Sequence, residues 1–524
     1  LPSGQPTGQP TFGLREWSQI GADLDGEAAG DQYGEAVSIS SDGTRVAIGG
    51  RYNDGGGSNA GHVRVFQYVS STWVQLGADI DGEAAGDESG FGVSLSSDGT
   101  SVAIGARLND GGGSNAGHVR VYEYDSSSWV QLGADIDGGA VGDGSGFGVS
   151  LSSDGTCVAI GARLNDGGGS DAGHVRVYEY ASSTWVQLGA DIDGVAAGDY
   201  SGISVSLSAD GTRVAIGAIY NDGGGSNAGH VRVYEYDSST WVQLGADING
   251  EAAGDQSGFA VSLSSDGSRV AIGAQYNDAG GTDAGHVRVY EYDSSTWVQL
   301  GPDIDGEAAG DVSGISVSLS SDGTRVAIGA YHNDAGGSNA GHVRIFDYDF
   351  LSSSWLQTGA DIEGDVVAGY SGRAVSLSGD GSRVAIGAYN VSSAAGQVRV
   401  WQLAYLPSGQ PTGQPTGQPT FGLREWSQIG ADLDGEAAGD QYGEAVSISS
   451  DGTRVAIGGR YNDGGGSNAG HVRVFQYVSS TWVQLGADID GEAAGDESGF
   501  GVSLSSDGTS VAIGARLNDG GGSN

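Results

Sequence analysis

The sequence predicts an all-β fold, a seven-bladed β-propeller built from four-stranded blades. The first observation is a tryptophan that recurs every 56 residues, with a last interval of 58. The second is that every unit holds short runs of alternating apolar and polar residues, which indicate half-buried strands, and none shows helical periodicity. A period of this size is typical of repeat folds. The repeated residues are Trp17, Trp73, Trp129, Trp185, Trp241, Trp297 and Trp355.

One unit, residues 73–128, shows how each blade is built. "FGVSLSS" and "VAIGA" alternate in hydrophobicity and are joined through Asp98-Gly99, which is a strong signal for a tight hairpin. "HVRVYEY" is a third alternating run, and a short turn then leads to "WVQLG" of the next unit. We name these predicted strands A, B, C and D in that order. Four short antiparallel strands per repeat are typical of a propeller blade.

The ring is predicted to close through the N-terminal segment. "GQVRVWQL" aligns with "GHVRVYEY", so Trp401 belongs to strand C of the seventh blade and does not open an eighth. That blade therefore lacks a strand D, and residues 15–24, "REWSQIGADL", supply one. Pairing the two removes exposed sheet edges. Glu35 and Arg373 replace an apolar residue in the first and seventh blades, so we also predict an ion pair between them.

Composition and repetition define the predicted domains. Residues 1–14 and 406–421 are Pro/Gly/Gln/Thr-rich linkers with no apolar face to bury, and residues 15–405 form the propeller. Residues 413–524 repeat residues 4–115 without a change, so residues 422–524 are predicted to be an incomplete second propeller of about two blades. We expect the chain to be a piece of a longer tandem protein in which each propeller is monomeric.

The charge of the chain excludes some partners. The formal net charge is -44, from 66 acidic and 22 basic residues. Such a surface repels nucleic acid and anionic lipid, and divalent cations and neutral or cationic ligands remain. No apolar run approaches the roughly 18 residues that span a bilayer, so no direct membrane insertion is expected. Cys157, the single cysteine, is interpreted as a passive strand residue, because sister repeats carry Arg45 or Ser101 there.

The run "SGFGVSLSSDGTSVAIGARLNDGGGSNAGHVRVYEY" resembles the FG-GAP repeat of integrin α-subunit propellers. It carries Phe91-Gly92, then "VAIGA" where the family has Gly-Ala-Pro, then the Gly-x-Val-x-Val-Tyr strand. The match is best to the divergent FG-GAP group of marine microbial and algal surface proteins. The resemblance covers residues 15–404 and 424–524 and implies an extracellular propeller used for adhesion or ligand binding. The family's calcium hairpin between strands A and B is here the shorter "SSDGT", which argues against calcium at that position.

The long connections, D to A and B to C, are expected to share one face, and function is expected there. The motif D-x-D-G-x4-D recurs in the D-to-A connection. Carboxylates in a Gly-rich loop suit Ca²⁺, and the same residues also cap turns without any metal; both alternatives stay open. Asn249 replaces one Asp in the fifth unit, and Gly369 replaces one in the seventh. The candidate residues are Asp23, Asp25, Asp31, Asp79, Asp81, Asp87, Asp135, Asp137, Asp143, Asp191, Asp193, Asp199, Asp303, Asp305 and Asp311.

A histidine begins strand C in six blades, and Gln397 takes its place in the seventh. Ring-related copies lie too far apart to share one metal, so we predict a repeated structural hydrogen bond for each histidine. The arginine two residues later is predicted to pair with an acidic group of its own or the next blade. The histidines are His62, His118, His174, His230, His286 and His342.

The repeat is broken at Cys157, His332, the Arg51-Tyr52 pair and the "YNVSSAAG" loop. No nucleophile-base set, paired carboxylates or phosphate loop emerges from these breaks, so we expect no enzyme. The leading hypothesis is a non-enzymatic extracellular or cell-surface propeller for adhesion, which binds an extracellular protein or glycan through the long loops. The alternatives are a carbohydrate-binding or enzyme-accessory propeller and a structural coat protein. Calcium is the only cofactor considered.

Overall fold

The computed structural model describes residues 15–405, 433, 437, 440, 442–448, 453–478, 481–505 and 509–515. The chain divides into two compact units, Gly13–Gly417 and one that contains Gln418–Asn524. The predicted linkers, residues 1–14 and 406–421, lie outside the described residues. Within the described ranges no helix is long and apolar enough to cross a membrane. The regular structure of these ranges is entirely β, as predicted.

Residues 15–405 form seven sheets of equivalent topology. The first two strands are β1 (Arg15–Gln19) and β2 (Leu24–Asp25). Sheet 1 holds β3 (Tyr33–Ile39), β4 (Arg45–Gly50), β5 (His62–Val69), β6 (Thr72–Gln75) and β7 (Ile80–Asp81). Sheet 2 holds β8 (Ser89–Leu95), β9 (Ser101–Ala106), β10 (His118–Tyr124), β11 (Trp129–Gln131) and β12 (Ile136–Asp137). Sheet 3 holds β13 (Gly148–Leu151), β14 (Cys157–Ala162), β15 (His174–Ala181), β16 (Thr184–Gln187) and β17 (Ile192–Asp193). Sheet 4 holds β18 (Ser204–Leu207), β19 (Arg213–Ala218), β20 (His230–Asp237), β21 (Thr240–Gln243) and β22 (Ile248–Asn249). Sheet 5 holds β23 (Ser257–Leu263), β24 (Arg269–Ala274), β25 (His286–Asp293), β26 (Thr296–Gln299) and β27 (Ile304–Asp305). Sheet 6 holds β28 (Ser316–Leu319), β29 (Arg325–Ala330), β30 (His342–Asp349), β31 (Ser354–Gln357) and β32 (Ile362–Glu363). Sheet 7 holds β33 (Ala374–Leu377), β34 (Arg383–Ala388) and β35 (Gln397–Tyr405), together with β1 and β2.

Each sheet runs A, B, C, D in antiparallel order, as in β8-β9-β10-β11. The predicted strand D is divided into two pieces, and both pair with strand C; in sheet 1 these are β6 and β7 on β5. The break falls at Gly77, whose φ of 77° favours glycine. A Cβ there would lie 2.9 Å from the indole of Trp129, so the next sheet packs directly on this bend.

The hydrophobic core lies between neighbouring sheets. Ile48, Val46 and Phe66 of sheet 1 pack with Val398 and Val400 of sheet 7, and the same kind of cluster fills the other contacts. The alternating residues of the strands therefore bury both faces of each sheet. Cys157 is one of these buried strand residues, and burial raises the pKa of its thiol to about 11. This agrees with the predicted passive role.

A hydrogen bond between strands A recurs from sheet to sheet. The Leu95 amide donates to Ser38 Oγ at 2.9 Å. The amide of Ile39 donates to Ser376 Oγ at 3.1 Å, so sheet 1 makes with sheet 7 the contact that consecutive sheets make with each other. The remaining donors are Leu151, Leu207, Leu263, Leu319 and Leu377.

The N-terminal strand pairs with the seventh sheet, which confirms that part of the sequence prediction. β1 is antiparallel to β35, with Trp17 opposite Leu403 and Gln19 opposite Trp401. Trp401 also lies opposite Val384 of β34, so it is a strand C residue, as predicted. The Trp17 indole N–H donates to the Thr358 carbonyl at 2.8 Å, which ties β1 to sheet 6 as well.

The predicted ion pair between sheets 1 and 7 is also confirmed. Arg373 Nη2 lies 3.3 Å from Glu35 Oε1, and Arg51 Nε lies 2.8 Å from Glu35 Oε2. The Glu35 side chain is only 9% exposed. One carboxylate therefore balances two guanidinium groups that come from different sheets.

Replacing Glu35 by alanine is expected to destabilise residues 15–405 by about 2 kcal/mol, between the values typical of exposed and buried pairs, because two arginines lose their carboxylate. The measurement is urea unfolding followed by tryptophan fluorescence. The control is Glu235→Ala, whose partner Arg213 lies 2.8 Å away but whose side chain is 42% exposed. An equal loss in both variants would contradict a special role for the contact between sheets 1 and 7.

The second copy of the repeat is described by itself. β36 (Tyr442–Ile448), β37 (Arg454–Gly459), β38 (His471–Val478), β39 (Thr481–Gln484) and β40 (Ile489–Asp490) form one sheet of the same topology. β41 (Ser498–Leu504) and β42 (Val511–Ala515) form a two-stranded sheet. The described part of this copy therefore contains one full repeat and strands A and B of another.

Candidate functional site

The long loops are tied to one another by backbone hydrogen bonds. In the loop from sheet 1 to sheet 2, the Gly86 amide donates to the Ser58 carbonyl at 2.9 Å. The Ser89 amide donates to the Ala60 carbonyl at 2.8 Å. Ser58 and Ala60 belong to the B-to-C loop of sheet 1, so the D-to-A and B-to-C loops share one face, which we call the loop face. The contact recurs around the repeat because the glycines of both loops permit this close approach.

The third Asp of each predicted motif is a buried cap. Asp87 is 3% exposed, and its Oδ2 accepts hydrogen bonds from the Ala84 amide at 3.1 Å and from Asn109 Nδ2 at 2.9 Å. These are the bonds that the turn-capping alternative expects of this position. The same arrangement holds at Asp31, Asp143, Asp199 and Asp311, and also at Asp255, which was not among the candidates.

The second Asp lies in the two-residue strand, with its side chain exposed in every motif. In sheets 7, 1, 3 and 5 the backbone carbonyl of this Asp accepts a hydrogen bond from the strand C arginine of the following sheet. In sheet 1, for example, Arg120 Nη2 donates to the Asp81 carbonyl at 2.9 Å. Partial burial and the charge of Asp79 raise the pKa of the Asp81 carboxyl. The members of this set are Asp25, Asp81, Asp137, Asp193 and Asp305.

The first Asp faces the strand C histidine. Gln75 Nε2 donates to Asp79 Oδ1 at 2.6 Å, and Asp79 Oδ2 lies 3.6 Å from His62 Nδ1. Asp135, Asp191 and Asp303 repeat this geometry with His118, His174 and His286. Asp23 belongs to sheet 7, where it accepts instead from Gln397 Nε2 at 2.9 Å. The structure therefore separates the motif into an Asp beside the histidine and an Asp buried as a cap.

The predicted structural hydrogen bond is wrong at His62, His118, His286 and His342, where neither ring nitrogen has a hydrogen-bond partner. The Nδ1 atoms of His62, His118, His230, His286 and His342 are buried without a hydrogen-bond partner. The carboxylate opposite lies 3.5–3.9 Å away, beyond the usual range of an N–H···O bond. The position of this carboxylate is set by a glutamine that donates to its other oxygen, as Gln75 does to Asp79 Oδ1. The sequence showed which residues recur, but this spacing depends on the fold.

The arginine two residues after the histidine pairs with a glutamate in sheets 1, 2, 5 and 6, as predicted. Among the described residues, Arg176 and Arg232 of sheets 3 and 4 have no ion pair. The glutamate was missed as a site residue. Arg64 Nη1 lies 3.5 Å from Glu27 Oε1, and Arg120 Nη1 lies 3.2 Å from Glu83 Oε1. These glutamates follow the second Asp by two residues, and only this repeated spacing marked them in the sequence. Glu27 also approaches His62 and Asp79, because the three ligand atoms lie within 4.8 Å of one another.

The turn that corresponds to the calcium hairpin of the FG-GAP family does not fit a metal. Asp98 Oδ1 accepts hydrogen bonds from Ser96 Oγ, from the Thr100 amide and from Thr100 Oγ1, all within 2.9 Å. Burial alone would raise the pKa of this carboxyl, but these hydrogen bonds outweigh it and lower the pKa. The carboxylate is therefore used by its own turn.

The N-terminal ends of the seven A strands surround one cavity of about 270 Å³. The lining residues nearest the loops that enter the A strands are Glu35, Phe91, Phe147, Ile203, Phe259, Ile315 and Arg373, and we call this end of the cavity the channel mouth. Phe91 and Phe147 are in contact, with ring centroids 4.5 Å apart. The mouth is apolar on most of its circumference and carries one ion pair.

A second ring of residues makes the mouth asymmetric. On one side Arg51, Arg107 and Arg163 follow strand B, and Arg107 lies 4.4 Å from the Phe91 ring centroid. On the other side the equivalent positions hold Tyr331 and Tyr389, which pack around Tyr370 and His332. These departures from the repeat include the Arg51-Tyr52 and His332 breaks seen in the sequence.

Arg163 differs from the other two arginines of the mouth. Arg107 lies 2.6 Å from Glu88, and Arg51 donates to Gln32 and pairs with Glu35. Gly144 stands where Glu88 stands in the preceding repeat, and among the described residues Arg163 has no ion pair. Its guanidinium lies 4.3 Å from the Phe147 ring centroid and 5.4 Å from that of Tyr200. Burial and the charge of Arg107 lower its pKa.

Repeated antiparallel sheets of four main strands, packed face to face around a shared cavity, define the propeller class of fold. Residues 192–234 match the FG-GAP repeat family, so this chain contains FG-GAP repeat sequence, as the resemblance implied. The matched segment runs from β17 to the middle of β20. FG-GAP repeats are integrin-α-like propeller repeats, a kind of domain associated with ligand binding and adhesion.

Two solved structures are similar to this chain at low sequence identity. A putative 6-phosphogluconolactonase from Bacteroides uniformis is 12% identical, with a TM-score of 0.44, over 63% of this chain and 86% of that chain. A periplasmic gluconolactonase from Pseudomonas aeruginosa is 17% identical, with a TM-score of 0.44, over 63% of this chain and 85% of that chain. No curated protein matches the sequence.

Proposed function

We propose that residues 15–405 form a closed seven-bladed propeller that acts without catalysis at the cell surface or outside the cell. Closure is supported by the pairing of β1 with β35 and by the Ile39 to Ser376 hydrogen bond, which repeats the contact between consecutive sheets. A non-enzymatic role is supported by the pairing of the carboxylates at the mouth, since Glu35 and Glu88 are bound by arginines.

The proposed role is adhesion, through recognition of an extracellular protein or glycan that presents a carboxylate to the channel mouth. The observation that carries this proposal is Arg163, a partly buried cation that has no acidic partner within the described ranges, on a chain of net charge -44. Its position between Phe147 and Tyr200 leaves the guanidinium fork for a ligand. Arginine binds carboxylates through two parallel hydrogen bonds, and flanking aromatic rings exclude water from them.

Arg163→Gln is expected to weaken binding of a carboxylate ligand about tenfold to a hundredfold, the value of a charged hydrogen-bonded contact. The full chain would be screened against uronate-bearing and neutral glycans and against extracellular proteins, and the variant would be tested on the ligands found. Cell-adhesion inhibition with and without chelator provides the functional readout.

The matched control is Arg45→Ser, because other repeats carry Ser101 or Cys157 at this position and the A-to-B turn lies away from the loop face. Equal binding by the wild type and Arg163→Gln would contradict the proposed site. Selective binding of neutral glycans would favour the carbohydrate-binding alternative without a role for Arg163.

A further inference from the structure

The loop face carries a repeated cluster of one imidazole and two carboxylates. Each cluster takes a Glu from the incoming D-to-A loop, a His from strand C and an Asp that follows strand D. Their ligand atoms lie within 4.8 Å of one another. Clusters of this composition include Glu27-His62-Asp79, Glu83-His118-Asp135, Glu251-His286-Asp303 and Glu307-His342-Asp361.

The histidine of each cluster offers an unused nitrogen. His62 and His118 are at most 1% exposed, and neither has a hydrogen bond at Nδ1. In both, Nδ1 points at the carboxylate opposite from 3.6 Å. Burying a polar atom without a partner is costly. A repeated fold retains this feature at five of the six histidine positions, so an explanation must apply to the repeat as a whole.

The spacing matches two ligands of one metal ion better than it matches a hydrogen bond. Metal bonds to imidazole and carboxylate of about 2.1 Å, in a tetrahedral arrangement, separate the two ligand atoms by about 3.4 Å. The observed separations in the four clusters are 3.6, 3.6, 3.8 and 3.9 Å. A small closure of the exposed carboxylate toward the ring would complete the geometry.

The charge state of the ring and the access to the cluster suit a cation. Burial and the charge of Arg64 lower the pKa of His62 to about 4 against the opposing charges of Asp79 and Asp31, so the ring carries no positive charge at neutral pH. The carboxylates lie on the solvent side, since the Glu27 side chain is 50% exposed and that of Asp79 is 27% exposed. Arg64 also faces Glu27, so a bound ion would compete with that ion pair.

The seventh sheet is a natural contrast. Gln397 replaces the histidine, and its Nε2 donates to Asp23 Oδ2 at 2.9 Å and to Asp25 Oδ1 at 3.3 Å. The amide therefore closes, by direct hydrogen bonds, the space that stays open beside the imidazoles. Sheets 3 and 4 differ in another way, because Gly139 and Val195 stand in place of the glutamate.

We propose that each Glu-His-Asp cluster binds a divalent cation of the Zn²⁺ class, with the carboxylates and His Nδ1 as ligands and water completing the coordination. Imidazole favours Zn²⁺, Co²⁺ or Ni²⁺ over Ca²⁺, which prefers oxygen ligands alone. The ion links the loop that enters a sheet with strand C and with the loop that leaves it. The site is separate from the channel mouth and does not depend on the proposed function.

The test is titration of the full chain, freed of metal by chelation, with Zn²⁺ and with Co²⁺. Calorimetry gives the number of ions bound, and the visible absorption of Co²⁺ reports nitrogen and oxygen ligation. His118→Gln, which reproduces the natural residue of sheet 7, is expected to reduce the number of bound ions by one. His332→Gln is the matched control, because His332 lies outside these clusters, and it should leave the number unchanged.

The quadruple variant E27Q, E83Q, E251Q and E307Q tests the same clusters without changing a buried histidine. It is expected to fold, because these glutamate side chains are about half exposed. It should keep the circular dichroism of the wild type and weaken Zn²⁺ binding at these clusters at least about tenfold. The proposal is overturned if the wild type binds no Zn²⁺ or Co²⁺, if neither variant changes binding, or if Ca²⁺ displaces Co²⁺ at equal concentration.

Discussion

Deleting residues 15–24 is expected to lower the stability of the first unit by roughly 5 kcal/mol or more, because the seventh sheet loses β1 and β2 together. Trp17 and Leu24 are 9% and 6% exposed, and their removal leaves a cavity between sheets 6, 7 and 1. The deletion also frees the edge of β35 and removes the Ile20 carbonyl that accepts the Trp73 indole N–H at 2.9 Å. Urea unfolding followed by fluorescence and size-exclusion chromatography measures the effect.

The control is truncation after Tyr405, which keeps every residue of sheets 1–7 and of β1. This shorter chain is expected to unfold at the same urea concentration as the corresponding transition of the full chain. A deletion of residues 15–24 that unfolds as the wild type does would show that β1 does not close the ring. An unpaired edge at β35 also predicts that the deletion variant self-associates.

Acid is expected to destabilise the first unit steeply between pH 6.5 and about 4. Burial lowers the pKa of His62, His286 and His342 from 6.5 to about 4, and it lowers the pKa of His118, His174 and His230 in the same direction. In this window the unfolded chain binds protons that the native protein does not, so stability falls as the pH falls. The loss is on the order of a few kcal/mol at pH 4 for each of His62, His286 and His342.

The pH dependence that comes from the histidines is separable from that of the aspartates in the A-to-B turns. Hydrogen bonds lower the pKa of Asp98 and of its equivalents, so their contribution is lost only below the ordinary pKa of an aspartate, at the acid end of the histidine window. Urea midpoints measured at intervals of pH give the number of protons taken up on unfolding.

His118→Gln should reduce the number of protons taken up on unfolding, because it removes one buried ring whose pKa is lowered by burial. Gln397→Ala is the control, because this equivalent position has no titrating ring. Its effect on the free energy of unfolding should be the same at pH 7 as at pH 5. Midpoints that do not change between pH 7 and 5 would contradict neutral, buried histidines.

The candidate site was predictable in part. Turn capping was one of the two alternatives that the sequence left open for the Asp motif, and Asp87 accepts a nearby amide as that alternative expects. The ion pair between Glu35 and Arg373 followed from alignment alone, because both replace an apolar residue at one repeat position. The unpartnered Nδ1 of His62 could not be foreseen, since its environment depends on where Asp79 is held by Gln75. The role proposed for Arg163 likewise depends on its neighbours, since Gly144 stands where Glu88 pairs with Arg107 in the preceding repeat.

The sequence by itself determined the strand pattern, the number of repeats, the pairing of residues 15–24 with the last repeat and the face that bears the long loops. These are consequences of local alternation, turn residues and a fixed period, which act within one repeat. Only the tertiary structure decided that Glu27, His62 and Asp79 meet, that the predicted strand D breaks at Gly77, and that Arg163 stands beside Phe147 and Tyr200. Those contacts join segments of different sheets, and their distances are set by how each sheet packs on the next.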